Sequence, residues 1–293
     1  MTNGADLMAG PTAAQRVSYY FSAHQDDWQL FMNPSAFRDV LDGNTKCVFI
    51  HMTAGDAGLG TGSGSRKHPY YFARENGAES AIRFMADSDN RPPVEQIAST
   101  MTFNGHPIRR VSYRNSVAYF LRVPDGSPDG TGYADTGYQS LKRLADGQID
   151  ALTAIDGTTA YHGWKDLVAT LRSIIDFERG SAPSLQLNVP EADPIINPGD
   201  HSDHYMTAKS ALDAAAGLTG ARRLHYVGYA SARFPENLSP QDRDMKCAIF
   251  AVTLAGVLAL DHPAAWQHYD HSFVGRNYLR VEERSGLRGD SVS

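Results

Sequence analysis

The sequence predicts an α/β protein: a mostly parallel sheet with helices on both faces and an antiparallel strand addition in the middle. Three observations predict it. Short apolar runs rich in aromatic and β-branched residues, at 16–22, 46–53, 185–189 and 223–229, read as buried strands. Segments of helical periodicity separate them, and strands alternating with helices imply a parallel sheet. Between 97 and 123 the pattern turns to alternation around the turn dipeptide Asn104-Gly105, which reads as added antiparallel strands.

In chain order, residues 1–15 are small and polar and read as a loose N-terminal arm, with 16–293 forming one α/β domain. The first strand ends near Ser22 and runs into Ala23-His24-Gln25-Asp26-Asp27-Trp28. Trp28, Phe31, Met32, Phe37 and Leu41 then make a weak helical pattern broken at Asn33-Pro34. After the strand at 46–53 come a glycine-rich loop, 54–65, and a helix at 68–86. The stretch 124–137, rich in Gly, Pro, Asp and Ser, must be loop. Helical periodicity returns at 139–144 and again at 164–177, where Leu167, Val168, Leu171, Ile174 and Ile175 share one face. The strand at 185–189 is ended by Pro190. A polar stretch then leads through His201-Ser202-Asp203-His204 into an alanine-rich helix, 203–215, closed by Gly217. A strand at 223–229 and an apolar helix at 240–260 follow. No internal repeat is visible.

The bulk numbers exclude several classes. In 293 residues, 42% hydrophobic content is enough for a full core. A formal net charge of -6 gives no positive field to attract nucleic acid. Cys47 and Cys247 lie in apolar runs and in no CxxC, so they read as buried thiols of a reducing cytosol. The first ten residues lack the pattern of a signal peptide. The apolar run 247–260 is shorter than the roughly 20 residues that cross a bilayer. The expectation is a soluble cytoplasmic protein with no membrane or nucleic-acid partner; a homo-oligomer is compatible with the sequence.

Open α/β sheets bind ligands just outside the carboxyl ends of their strands. His24, Asp26 and Asp27 stand at such an end, and His201, Asp203 and His204 stand at a helix start far downstream. If the clusters meet, they can hold one divalent metal. A pair of imidazoles and a carboxylate leave positions open for water and substrate. A second carboxylate cannot easily share the ion, and is better placed to take a proton from water that the metal acidifies. His204 can be the third ligand, and His201 can point at the same cavity. Asp203 can hydrogen-bond an imidazole and favour its protonated form, which would stabilise a developing oxyanion.

Ala23-His24-Gln25-Asp26-Asp27 resembles the AHPDD signature of the LmbE-like (PIG-L) family of zinc-dependent N-acetylglucosaminyl deacetylases, and His201-Ser202-Asp203-His204 resembles its HPDH signature. The segment 53–58 is similar to the acidic, glycine-containing loop after that family's second strand, and the likeness spans about 16–216. The resemblance implies a Rossmann-like sheet and zinc, or another divalent first-row metal, on His24, Asp27 and His204. It implies Asp26 as general base and His201 as the acid or electrophilic partner tuned by Asp203. Asp56 and Arg74 fall near sugar-contacting positions. Gln25 stands where the family has proline, and Trp28 where it has glutamate; Trp28 is expected beside the pocket. The implied activity is removal of an N-acyl, most often N-acetyl, group from an amino sugar or glycosylated small molecule.

Plainer assignments compete. His51, His68, His106, His162 and His225 read as structural histidines. His262, His268 and His271 read as an exposed or interface tail. The glycine-rich loop lacks both phosphate-binding spacings and reads as a flap near the site. Taken alone, His24-x-Asp26-Asp27 fits a surface turn; the joint presence of both clusters carries the metal assignment. A non-haem Fe(II) oxygenase could use His24, Asp26 and His204, though on a β-barrel scaffold. A non-catalytic sugar-binding relative would have its pocket blocked by Trp28.

Overall fold

The computed structural model describes residues 14–282, so most of the expected arm (1–13) and the stretch 283–293 lie outside the described residues. The main sheet is built from β1 (Arg16–Ser22), β2 (Thr45–Thr53), β3 (Ile97–Phe103), β4 (His106–Tyr113), β5 (Ser116–Val123), β8 (Ser184–Pro190), β9 (Ala221–Tyr226) and β10 (Leu279–Glu282). Between β5 and β8, β6 (Ala151–Thr153) and β7 (Ala160–His162) form a separate small ribbon. The main order is β10-β9-β8-β1-β2-β5-β4-β3. The run β9-β8-β1-β2-β5 is parallel throughout, and β10, β4 and β3 are antiparallel additions at the edges.

The central strands are buried on both faces, which is why they read as continuous apolar runs. Val17, Tyr19 and Phe21 of β1 face one core, and Tyr20 faces the other. The first core is closed by α4 (Leu141–Ala145), α5 (Trp164–Arg179) and α6 (Ser202–Ala214), with Leu167, Leu171, Ile174 and Ile175 presenting the predicted stripe. The second is closed by α1 (Asp27–Phe31), α2 (Ser35–Leu41), α3 (Tyr70–Ala86) and α7 (Pro240–Leu258), through residues such as Val40, Ile82, Met85 and Phe250. A short α8 (Trp266–Tyr269) follows α7.

Helices α3 and α7 approach closely where Gly77 meets Gly256. A Cβ on Gly256 would lie 2.7 Å from the Gly77 Cα, and one on Gly77 would lie 2.6 Å from the Thr253 carbonyl oxygen. The crossing is tied by the Asn76 side-chain amide, which donates to the Gly256 carbonyl at 2.7 Å.

Several expectations are corrected. The 97–123 region is antiparallel only in β3 and β4, because β5 joins β2 in parallel and extends the central run. The strand expected to reach 229 stops at Tyr226, and the chain turns at Gly228 into a 3-10 turn, Tyr229–Arg233. His262 is buried rather than exposed, and its Nε2 donates to the His68 carbonyl at 2.8 Å. Cys47 is buried, while Cys247 is only half-buried. Among the described residues, no helix is long and apolar enough to cross a membrane.

Candidate metal centre

The sheet's switch point lies at the carboxyl end of β1, which pairs with β2 on one side and with β8 on the other. The turn after β1 is closed locally, since the His24 backbone N–H donates to Asp27 Oδ2 at 2.7 Å. The second cluster opens α6. His201 is the residue before the first turn, and its Nδ1 accepts from the Asp203 N–H at 3.2 Å. Spacing of three at a helix start puts His201 and His204 on one side.

The two clusters meet. His204 Nε2 lies 3.2 Å from Asp27 Oδ1, and His24 Nδ1 lies 3.6 Å from the same oxygen. On the other edge of its ring, His24 Nε2 lies 3.5 Å from Asp203 Oδ2 and 3.7 Å from Asp125 Oδ2. Asp125 Oδ1 is in turn 3.8 Å from His201 Nε2. Two overlapping buried groups could therefore hold an ion: His24, Asp27 and His204, or His24, Asp125, His201 and Asp203.

The donors fit a metal on three counts. First, the Nε2 atoms of His24 and His204 and Oδ1 of Asp203 are buried without a hydrogen-bond partner among the described residues, a costly state for polar atoms. Second, Asp200 Oδ1 sits 2.9 Å from His204 Nδ1, which fixes the ring with Nε2 turned inward; carboxylates stand behind metal-binding imidazoles in this way. Third, the field is right. Burial alone would strip the His24 imidazole of its proton, yet Asp27, Asp203 and Asp125 together push its pKa up to about 10. Burial is likewise overcome at His204, which Asp200 and Asp27 hold well above the ordinary histidine range. Asp27 is buried too, but His204 and His24 keep its carboxyl well below the usual carboxylate range. The carboxylates gather positive charge at this point, and a divalent cation would satisfy the same field.

The remaining predicted residues divide. Asp26 lines the basin and forms an ion pair with Arg74 through Oδ1; Arg74 Nη1 also donates to the Gly55 carbonyl at 2.8 Å. His201 is held neutral rather than protonated. Burial and the neighbouring His24 and His204 charges push it down to about 3, and its Nδ1 already accepts a backbone N–H. In the neutral ring the proton then sits on Nε2, facing Asp125. Asp203 is oriented by the Gly126 N–H at 2.8 Å and lies nearer His24 than His201, whose Nδ1 is 3.7 Å away.

Two expected substrate contacts are elsewhere. Asp56 is buried with both oxygens engaged, by the Asp125 N–H at 3.0 Å and the Gly60 N–H at 2.8 Å, so it braces the loops rather than facing the basin. Trp28 is fully buried in the second core against Phe49, with ring centroids 4.7 Å apart, because the first turn of α1 points it inward.

Sequence reasoning missed Asp125 and Asp200. Asp125 follows β5 and reaches the site only because β5 pairs beside β2. Asp200 is held by the Tyr229 N–H at 3.1 Å and the Asn197 amide at 2.5 Å. Gly228 packs against it so closely that a Cβ there would lie 2.4 Å from Asp200 Oδ2. The basin above the donors has a cavity volume of about 260 Å³, with Phe31, Tyr70, Tyr133, Tyr229 and Tyr269 in its walls.

No protein-family model and no curated protein matches this chain. Among solved structures, the chain is similar to an N,N'-diacetylchitobiose deacetylase from Pyrococcus horikoshii complexed with its inhibitor MPG, at 15% identity and a TM-score of 0.48, over 95% of this chain and 89% of that one.

Proposed function

We propose that this chain is a metal-dependent amide hydrolase that removes an N-acyl group, acetyl in the simplest case, from an amino sugar or glycosylated small molecule. The observation that carries the proposal is the buried trio His24, Asp27 and His204, in which His204 Nε2 is buried without a partner among the described residues, beneath a basin walled by aromatic side chains. The likeness of Ala23–Asp27 and His201–His204 to the signatures of LmbE-like (PIG-L) zinc N-acetylglucosaminyl deacetylases supports it.

His24, Asp27 and His204 would hold the ion, zinc or another divalent first-row metal. Such an ion supplies a Lewis acid that polarises an amide carbonyl and acidifies water. The chain's own groups move the protons. Arg74 engages Asp26 Oδ1, and Oδ2 makes no hydrogen bond among the described residues, so that oxygen takes the proton of the attacking water as the new carbon–oxygen bond forms. His201 Nε2–H donates to the carbonyl oxygen as charge builds there. When the carbon–nitrogen bond breaks, the proton on Asp26 passes to the departing nitrogen, leaving a carboxylate and a free amine. Arg74, at the basin wall, is positioned for a sugar hydroxyl.

An open parallel sheet weighs against the oxygenase, which would sit on a β-barrel. Burial of Trp28 in the core weighs against a blocked, non-catalytic pocket. The test is metal analysis of the purified protein, followed by screening N-acylated amino sugars for released primary amine. Asp26→Ala should abolish release and leave metal content intact. Loss of metal in that variant would refute its role, and a protein that binds no divalent ion would refute the proposal as a whole.

A further inference from the structure

A side branch opens from the basin, and the hydrolysis scheme does not use it. Asp26, Tyr70, Arg74 and Tyr269 line both spaces, so the branch starts beside the proposed base. It then runs between the N-terminal turns of α3 and the C-terminal turns of α7, toward the segment before α8. Beyond the shared residues its walls are Gln25, Thr253, Leu254, Val257, Pro263 and Ala265. The branch is narrow, with a cavity volume of about 50 Å³.

The wall chemistry changes along this path. The basin floor offers imidazoles and carboxylates, which suit hydroxyls and an amide. The branch adds a carbon wall, Leu254, Val257, Pro263 and Ala265 with the rings of Tyr70 and Tyr269, opposite the polar groups of Gln25 and Thr253. Polar groups such as Gln25 and Thr253 remain available to water, while an apolar chain lying along the Leu254, Val257, Pro263 and Ala265 side gains from the carbon it buries. The width of the branch is set by construction, since Gly77 and Gly256 fix the close approach of the helices that flank it.

We propose that the branch receives an apolar chain of the substrate, so that the preferred substrate carries an aliphatic group longer than acetyl close to the hydrolysed amide. The chain can come from the acyl group or from the aglycone, and the inference rests on the hydrolase proposal for its chemistry. Gln25, which is buried, and Leu254 both line the branch, the first as a polar group beside Asp26 and the second as part of its carbon wall, and both then bear on specificity.

The test uses product-like ligands that do not turn over. Straight-chain carboxylates from acetate to hexanoate probe the acyl source, and alkyl glucosaminides from methyl to hexyl probe the aglycone source. Affinity measured by calorimetry should rise about four-fold per added methylene in one series, the value that follows from about 0.8 kcal/mol per buried methylene. The series that rises identifies the source. Leu254→Trp and, on the exposed rim, Ala265→Phe should each flatten the rise. Two flat series, or a rise that neither variant changes, would overturn the branch. Amine release is scored separately, across N-acyl glucosamines from acetyl to hexanoyl and alkyl N-acetylglucosaminides from methyl to hexyl: a rise in affinity with no release from any of them sinks the hydrolase and keeps the branch, and release with flat series does the reverse.

Discussion

Asp200 makes the sharpest test of the metal assignment, because it lies outside the basin lining and stands directly behind His204. Its Oδ1 serves His204 Nδ1 at 2.9 Å and the Tyr229 N–H at 3.1 Å, while the Asn197 amide donates at 2.5 Å to Oδ2. Asp200→Asn keeps one acceptor oxygen but must turn its own amide toward that of Asn197, and it removes the charge behind the imidazole. Losing such a supporting carboxylate costs about 10- to 100-fold in metal affinity, or roughly 1.4–2.7 kcal/mol. Gly228→Ala reaches the same group from the other side. Its Cβ would sit 2.4 Å from Asp200 Oδ2, too close for the carboxylate to stay in place. Both variants should weaken zinc and cobalt binding in competition with a chromophoric chelator, with circular dichroism confirming the fold. The double variant should be little worse than the poorer single one, since both act through one side chain. If both variants fold and bind metal as the parent does, His204 is not a ligand oriented by Asp200, and the assigned centre is wrong.

The remaining predictions rest on other groups. His24 holds its proton up to a pH of about 10 before an ion arrives, so metal added near neutral pH should release protons into weak buffer, with apparent affinity rising as pH rises; uptake without proton release would contradict the geometry. Burial lowers His51 to about 4, so the unfolded chain binds more protons than the folded one between there and the ordinary value. The stability from this ring is fully present above about pH 6.5 and is lost toward pH 4, by at most about 3 kcal/mol. His51→Phe, which keeps the stack on Phe120, should flatten that acid limb in urea unfolding; an unchanged limb would assign it to other groups. Trp28→Ala should cost roughly 3–5 kcal/mol of stability, as expected for a core aromatic, with KM of the folded variant unmoved; a KM change would return Trp28 to the pocket.

Much of this architecture was legible because its signals are local. The doubly buried strands show as unbroken apolar runs, and α5 shows as a single stripe. The His24–Asp27 turn and the His201–His204 helix start are compact clusters, so their residues could be named without knowing the partner segment. What stayed hidden depends on pairing. Asp125 sits in a loop where Gly, Pro, Asp and Ser crowd together, and nothing local separates it from Asp129, which hydrogen-bonds within its own turn. Only the parallel register of β5 on β2 carries Asp125 to His24. Asp56 looked like a substrate contact because a carboxylate on a glycine loop suits one, but the Gly60 amide of its own loop and the Asp125 amide of the neighbouring loop claim both of its oxygens. Trp28 was misplaced for the opposite reason: one residue past Asp27, the helical turn rotates the side chain from the basin to the core. Strands β6, β7 and β10 are too short to leave a periodic trace.

The crossing of α3 and α7 has a wider meaning. Two backbones in contact, with hydrogen where each would otherwise carry a methyl, behave like a fulcrum: whatever is added there levers apart the ends of both rods. Arg74 lies one helical turn from Gly77, and Leu254 and Val257 lie within a turn of Gly256, so the bore of the cleft is gauged by atoms that never meet its contents. A single added carbon at either glycine would widen the passage and swing the guanidinium of Arg74 off Asp26, so the gauge of the cleft and the aim of the proton acceptor are set by the same joint.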